Sequence, residues 1–326
     1  MTISTDSLPH PGAAMTFRPL GRTGLTVSSL SFGASSLGGV FRSVDEQEGI
    51  RAVHVALDLG INYFDVSPAY GGTRAETLLG RALDGVPRDR YYLSTKVGKY
   101  TSPDGYGDDT FDYSRAGIRA SLDESARRLG VDYFDIVHLH DIEYQGRRHV
   151  EWAIGEGLEA LLELRGEGRV GAVSFGIFPM DLWQRVLREC EIQVALVHNH
   201  YCLNDTRLVE LLPLAAERGI GLINGSPFAS GLLTDRGPAA WHPACAEDRA
   251  VFRRAAEHCS RRGISISQLA MQFASQHPQV STTLFSSASP ESVRKNVRWH
   301  EQPADAALLA EVMEILRPVR DRDWSY

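Results

Sequence analysis

Short runs of apolar and β-branched residues recur along the chain, and each is followed by a longer stretch whose apolar positions return every three or four residues. The runs are Leu30 to Ala34, Ile61 to Val66, Tyr91 to Val97, Tyr133 to His140, Val170 to Gly176, Val194 to Tyr201, Ile220 to Gly225 and Ser281 to Ser287. All have the length of strands. Between them the spacing predicts helices near 45–59, 74–84, 114–129, 150–168, 179–189, 204–218 and 265–277. Several end at a glycine (Gly60, Gly130, Gly219), the residue that most easily takes the left-handed turn after a helix.

Strict alternation of strand and helix implies parallel strands joined by right-handed crossovers, and eight such units close into a TIM barrel, here one α/β domain over 1–326. The remaining segments have places around it. Residues 15–29 read as a hairpin about Gly21-Arg22-Thr23-Gly24, 234–263 as an insertion with a helix, 302–326 as a C-terminal helix and tail, and 1–14 as a flexible tail. An open doubly wound sheet competes, but the glycines of Ser31 to Gly39 lack the G-x-G-x-x-G spacing of that fold.

Composition narrows the partners. With 43% hydrophobic residues and a net charge of −7, the chain has a core's worth of apolar material and no positive field for nucleic acid. No run approaches the roughly 18 apolar residues that cross a membrane, and Met1 to Phe17 does not read as a signal peptide. Cys190, Cys202, Cys245 and Cys259 form no C-x-x-C pair, so reduced thiols and a cytoplasmic setting are expected, with the protein a monomer or weak homo-oligomer.

Barrels of this type do their chemistry where strands end, which directs attention to polar residues terminating apolar runs. Asp65, Lys96 and His140 each close one, and Tyr70 follows Asp65 in a loop shaped by Pro68, Gly71 and Gly72. Singly they read as a loop-ordering carboxylate, an aromatic plug, a snorkelling lysine and a core histidine. Jointly they make a proton-transfer device for a carbonyl or alcohol. A free tyrosine titrates near pH 10, and an adjacent ammonium lowers that value; Lys96 is expected to supply the charge, Asp65 to keep Lys96 ionised, and His140 to orient the substrate oxygen. The device moves protons only, so hydride chemistry requires a nicotinamide or flavin.

Phe64-Asp65-Val66-Ser67-Pro68-Ala69-Tyr70-Gly71, Ser94-Thr95-Lys96-Val97-Gly98 and Asp135-Ile136-Val137-His138-Leu139-His140 resemble the motifs of the aldo-keto reductases, NAD(P)-dependent barrel enzymes with an Asp, Tyr, Lys, His tetrad. His140-Asp141-Ile142-Glu143-Tyr144, His200-Tyr201-Cys202-Leu203-Asn204-Asp205, Ser226 to Thr234 and Trp241-His242-Pro243-Ala244 are similar to the L-galactose dehydrogenase and aldose 1-dehydrogenase branch. The resemblance implies oxidation of an aldose at C1 to the lactone, with Tyr70 as the base; Asp141, Glu143, Tyr144, His200 and Trp241 are then expected to line the mouth and bond the hydroxyls of a sugar. Pyridoxal, another aldehyde or a cyclic alcohol is the alternative substrate.

The resemblance also distributes cofactor contacts. Gly33, Ser174 and Asn199 fall at the nicotinamide end, although Phe175 and Gly225 replace the family's usual asparagine and stacking tyrosine. Ser226, Pro227, Phe228, Gly231 and Leu232 fall at the diphosphate, and Ser286, Ser287, Ser292 and Asn296 at the adenosine. Ser286 and Ser292 stand where NADPH-preferring members carry Lys and Arg, which favours NAD; Arg294 or Lys295 keeps NADP in play. Two rivals lie outside this class. His138-x-His140 and His198-x-His200 suit a metal-dependent barrel hydrolase, and a degenerate barrel would serve only to sense a nucleotide. No metal is assigned.

Overall fold

The computed structural model describes residues 15–101 and 109–324, so the tail expected at 1–14 lies outside the described residues. All eight runs become strands: β1 (Leu30–Gly33), β2 (Tyr63–Asp65), β3 (Tyr92–Val97), β4 (Phe134–His140), β5 (Val170–Ile177), β6 (Val194–His198), β7 (Gly221–Gly225) and β8 (Thr282–Ser286). They pair in parallel and in chain order, and β8 returns to β1 to close the barrel. Every residue of β4 is buried, as expected of a strand with one face in the barrel and the other under helices.

The helices follow the predicted spans closely, at Glu46–Asp58, Arg74–Leu83, Arg115–Leu129, Met180–Glu189 and Ile266–Ala274. Asp45, Ser114 and Ser265 each accept a backbone N–H of the first turn, as side chains at a helix start do. The hairpin Phe17–Pro19 and Thr26–Ser28 plugs the bottom of the barrel, where Leu20 packs with Tyr63, Ile136, Val194 and Ile223. The fit requires Gly221, because a Cβ there would stand 2.7 Å from the Leu20 carbonyl carbon.

Three segments differ from the sequence reading. Residues 204–218 do not form one helix: Cys202 bridges to Asp205, Arg207–Leu211 makes a 3-10 turn, and only Leu212–Arg218 is α-helical. The Asp205 carboxylate is taken by His200 and Arg207, which holds a turn where a helix was expected. A short ribbon, Lys99–Thr101 against Asp109–Phe111, stands on the barrel top after β3. Helix Pro290–His300 follows β8, capped by Ser289 and begun by proline. The insertion helix Ala246–Arg261 and the C-terminal helix Ala306–Leu316 bury a second apolar cluster around Phe252, Leu269, Leu308 and Val312.

Candidate active site

Asp65 sits opposite Ser94, and Lys96 opposite His138, so four polar side chains from β2, β3 and β4 enter the upper barrel within two registers. The Lys96 ammonium lies 2.5 Å from Asp65 Oδ2 and 2.9 Å from the Val66 carbonyl. Ser94 donates to Asp65 Oδ1 at 2.7 Å, and Tyr63 in turn lies 2.8 Å from Ser94 Oγ. Both ions are buried, and such a pair is tolerated only when its remaining hydrogen-bonding capacity is met. Ser94 and Tyr63 meet part of it from below. The sequence reading missed both, though Ser94 shares the strand period of Lys96.

Tyr70 is set above this pair, its ring centre 4.8 Å from the Lys96 nitrogen and edge-on to the His140 ring at 5.9 Å. Gly38 holds the loop down, since a Cβ there would stand 2.7 Å from the Tyr70 carbonyl carbon. One expectation is corrected here. The phenol is not made acidic: burial, followed by the charges of Asp65 and Asp141, raises it well above its ordinary value, with Lys99 opposing. The Asp65 carboxylate, 2.5 Å from the Lys96 nitrogen, opposes the field that the ammonium was expected to exert.

His140 ends β4 with Nδ1 3.1 Å from Ser67 Oγ and Nε2 3.6 Å from Asp141 Oδ2, while its carbonyl accepts the Tyr113 hydroxyl at 2.6 Å. Burial pushes the ring well below its usual range, so it is neutral. The same cause takes His138 to about 3 and His198 to about 4.

A second set of charges flanks His140, of which the sequence reading named Asp141 and Glu143 but not Lys99 or Asp109. Lys99 bonds Asp141 at 2.8 Å and Asp109 at 3.0 Å, and its ammonium lies 4.0 Å from the Tyr144 ring centre. Glu143 accepts the Phe178 N–H at 2.8 Å through Oε1, whereas Oε2 is buried with no hydrogen-bond partner. Burial and then the Asp141 charge push this carboxyl up to about 8. Trp241 packs between Phe41 and His242, with ring centres 6.1 Å from each. His200 does not fit the sugar-lining position expected of it. It is fully buried, with Nδ1 2.9 Å from Asp205 and Nε2 2.6 Å from the Phe178 carbonyl, so both nitrogens serve the fold.

Of the residues assigned to a dinucleotide, Gly33 and Ser286 end β1 and β8, Asn199 and the turn from Ser226 to Leu232 follow β6 and β7, Ser292 and Asn296 lie on helix Pro290–His300, and Ser174 is inside β5. Gly33 pairs with Ser286, and Ser174 faces His138 and Val194 across the sheet. Asn199 donates to Ser230 at 3.1 Å. The turn through Ser226, Pro227, Phe228, Gly231 and Leu232 has left-handed backbone at Ser226, Ala229, Ser230 and Gly231. Ser286 is bonded to Ser36 at 2.8 Å, and Ser287 accepts the Ser289 N–H at 3.1 Å. Asn296 donates to the Ser292 carbonyl at 2.8 Å but leaves Oδ1 buried and unpartnered. That orphaned acceptor and the left-handed turn fit a nucleotide lying across these residues.

The histidine pairs form no metal-binding group. Among the described residues the one His, Cys, Asp and Glu cluster with suitable spacing is His200, Asp205 and Asp323, and the Arg207 guanidinium already bridges its two carboxylates.

A rim that sets a proton-transfer group beside a turn fitting a nucleotide suits an oxidoreductase that takes a nucleotide cofactor. The comparisons agree with that class. The chain belongs to the aldo/keto reductase family, whose model matches residues 29–317. It is 39% identical to L-galactose dehydrogenase of Arabidopsis thaliana, over 94% of this chain and 96% of that protein. Pyridoxal 4-dehydrogenase of Microbacterium luteolum is 34% identical over 87% of this chain and 93% of its own, and D-threo-aldose 1-dehydrogenase of a Pseudomonas species 31% over 89% and 94%. Among solved structures, the holo form of an aldo-keto reductase from Bacillus halodurans superposes with a TM-score of 0.76 at 28% identity, covering 94% of this chain and 99% of that one. The protein is therefore an aldo-keto reductase oxidoreductase, of a family that uses NAD(P)H.

Proposed function

We propose that the protein is an NAD(P)-dependent sugar 1-dehydrogenase, a single barrel domain that oxidises a free aldose such as L-galactose or L-fucose at C1 to the lactone. The observation that carries the reading is the buried Asp65–Lys96 pair under the Tyr70 ring, with neutral His140 edge-on to that ring. Two sugar dehydrogenases among the relatives support the substrate class. Tyr70 exchanges the proton of the C1 oxygen, Lys96 sets the charge beneath it, Asp65 holds Lys96, and His140 bonds and orients the oxygen. Asp141, Glu143 and Trp241 face the hydroxyls of the sugar. Gly33, Ser174, Asn199, the turn from Ser226 to Leu232, Ser286, Ser287, Ser292 and Asn296 would hold the dinucleotide, which when bound supplies the hydride acceptor.

Because burial keeps the Tyr70 phenol protonated, the free protein is poised to donate a proton, the role needed for carbonyl reduction. Sugar oxidation requires that proton to leave first and accordingly gains from alkaline pH. NAD is the proposed cofactor over NADP, since Ser286 and Ser292 offer no charge to a 2′-phosphate. No helix among the described residues is long and apolar enough to cross a membrane, and a cytoplasmic monomer or weak homo-oligomer is the proposed setting. The test is NADH formation from a panel of L-galactose, L-fucose, D-arabinose and pyridoxal, repeated with NADP. Turnover of at least one aldose, with a higher kcat/KM for NAD, is expected. Activity confined to pyridoxal would replace the sugar with the second reading, which the pyridoxal 4-dehydrogenase relative favours.

A further inference from the structure

The loop between Asp65 and Tyr70 carries a buried hydroxyl, that of Ser67, which the tetrad leaves unused. Ser67 Oγ lies 3.1 Å from the Ala69 nitrogen and 3.1 Å from His140 Nδ1. The Ala69 N–H can only donate, so Oγ accepts there, and the hydroxyl hydrogen needs an acceptor of its own. An unprotonated Nδ1 provides it. The opposite tautomer, with a proton on Nδ1, would leave the Ser67 hydrogen buried with nowhere to go. Asp141 Oδ2, 3.6 Å from Nε2, adds an electrostatic preference for the proton on Nε2, and Lys99, itself paired with Asp109, anchors that carboxylate. Meanwhile Tyr113 holds the His140 carbonyl from the other side, which leaves ring rotation as the freedom still to be removed.

We propose that Ser67 is a positioning residue: its hydroxyl holds the His140 ring as the Nε2–H tautomer and turns that N–H toward the substrate oxygen. His140 is thereby a donor and not a base. The kinetic consequence rests on the role proposed above for His140, whereas the tautomer does not.

The experiment is nitrogen NMR of the full chain labelled at histidine, with His140 assigned by comparison with His140→Asn, alongside kinetics with L-galactose and NAD. The wild-type protein is expected to show Nδ1 unprotonated and Nε2 protonated. Ser67→Ala should mix the tautomers and lower kcat about tenfold, the usual scale for one hydrogen bond, with the KM for NAD within about twofold. Ser67→Thr, which keeps the hydroxyl, should restore both readouts. A proton on Nδ1 in the wild-type protein overturns the proposal whether or not any variant folds. So does a folded Ser67→Ala with unchanged spectrum and kcat, or a folded Ser67→Thr as impaired as the alanine variant. Should the wild type fail to oxidise L-galactose, the spectrum still decides the Ser67 assignment, separating its failure from that of the proposed reaction.

Discussion

Replacing Lys96 with methionine keeps the volume of the side chain and removes its charge, leaving Asp65 buried with Ser94 as its remaining close hydrogen-bond donor. An ion stripped of its partner in the interior costs about 3–5 kcal/mol, because desolvation is no longer offset by the opposite charge at 2.5 Å. Unfolding entropy of about 2.1 cal/mol/K per residue, taken over 326 residues, converts that loss into a fall in Tm of about 4–7 °C. The assay is a double-mutant cycle by thermal unfolding at neutral pH: wild type, Lys96→Met, Asp65→Asn and the double variant. The double variant removes both charges and should recover most of the loss, while all three variants lose turnover. If it were no more stable than Lys96→Met, the cost would not come from an orphaned charge and the reasoning about the pair would be wrong.

Other predictions follow from neighbouring groups. Tyr70→Phe should lower kcat by two or more orders of magnitude, on the scale of general acid–base catalysis, while NAD affinity measured by fluorescence titration stays within about twofold. His138 and His198 stay neutral in the fold, at about 3 and about 4, but take up protons near pH 6.5 when unfolded. The unfolded chain therefore binds more protons below that pH, and each ring should reduce stability by up to about 1.4 kcal/mol per pH unit as pH falls from about 6.5 toward 4. Denaturant melts of wild type and His138→Gln over that range check the slope, which should be shallower in the variant. Glu143 has the opposite sense: raised to about 8, it binds its proton more tightly folded than unfolded, so its contribution is present below the ordinary carboxylate range and is lost as pH rises through about 8. Glu143→Gln should consequently gain Tm relative to wild type on going from pH 5 to pH 9; a constant difference would place Glu143 in water.

The alternation of strand and helix was legible in the sequence because each strand of a closed parallel barrel is buried on both faces and reads as an unbroken apolar run. The same contrast exposed Asp65, Lys96 and His140, polar residues ending runs that burial otherwise keeps apolar. What was not legible depended on contacts across the sheet. Ser94 and Tyr63 look like ordinary strand residues until the register sets them beneath Asp65. Lys99, Asp109 and Asp141 lie far apart in the chain, and the ribbon after β3 is what joins them. His200 looked available until Asp205 and the Phe178 carbonyl were found on its two nitrogens.

The sequence by itself determined the eight strands, their closure into a barrel and the polar residues Asp65, Lys96 and His140 that end apolar runs, since these rest on periodicity and on where an apolar run stops. Tertiary structure alone decided the direction in which burial and neighbouring charges shift Tyr70 and His140. Whether an ammonium makes a nearby phenol acidic depends on what else shares its field, and here burial together with Asp65 and Asp141 reverses the sign that residue types alone suggest.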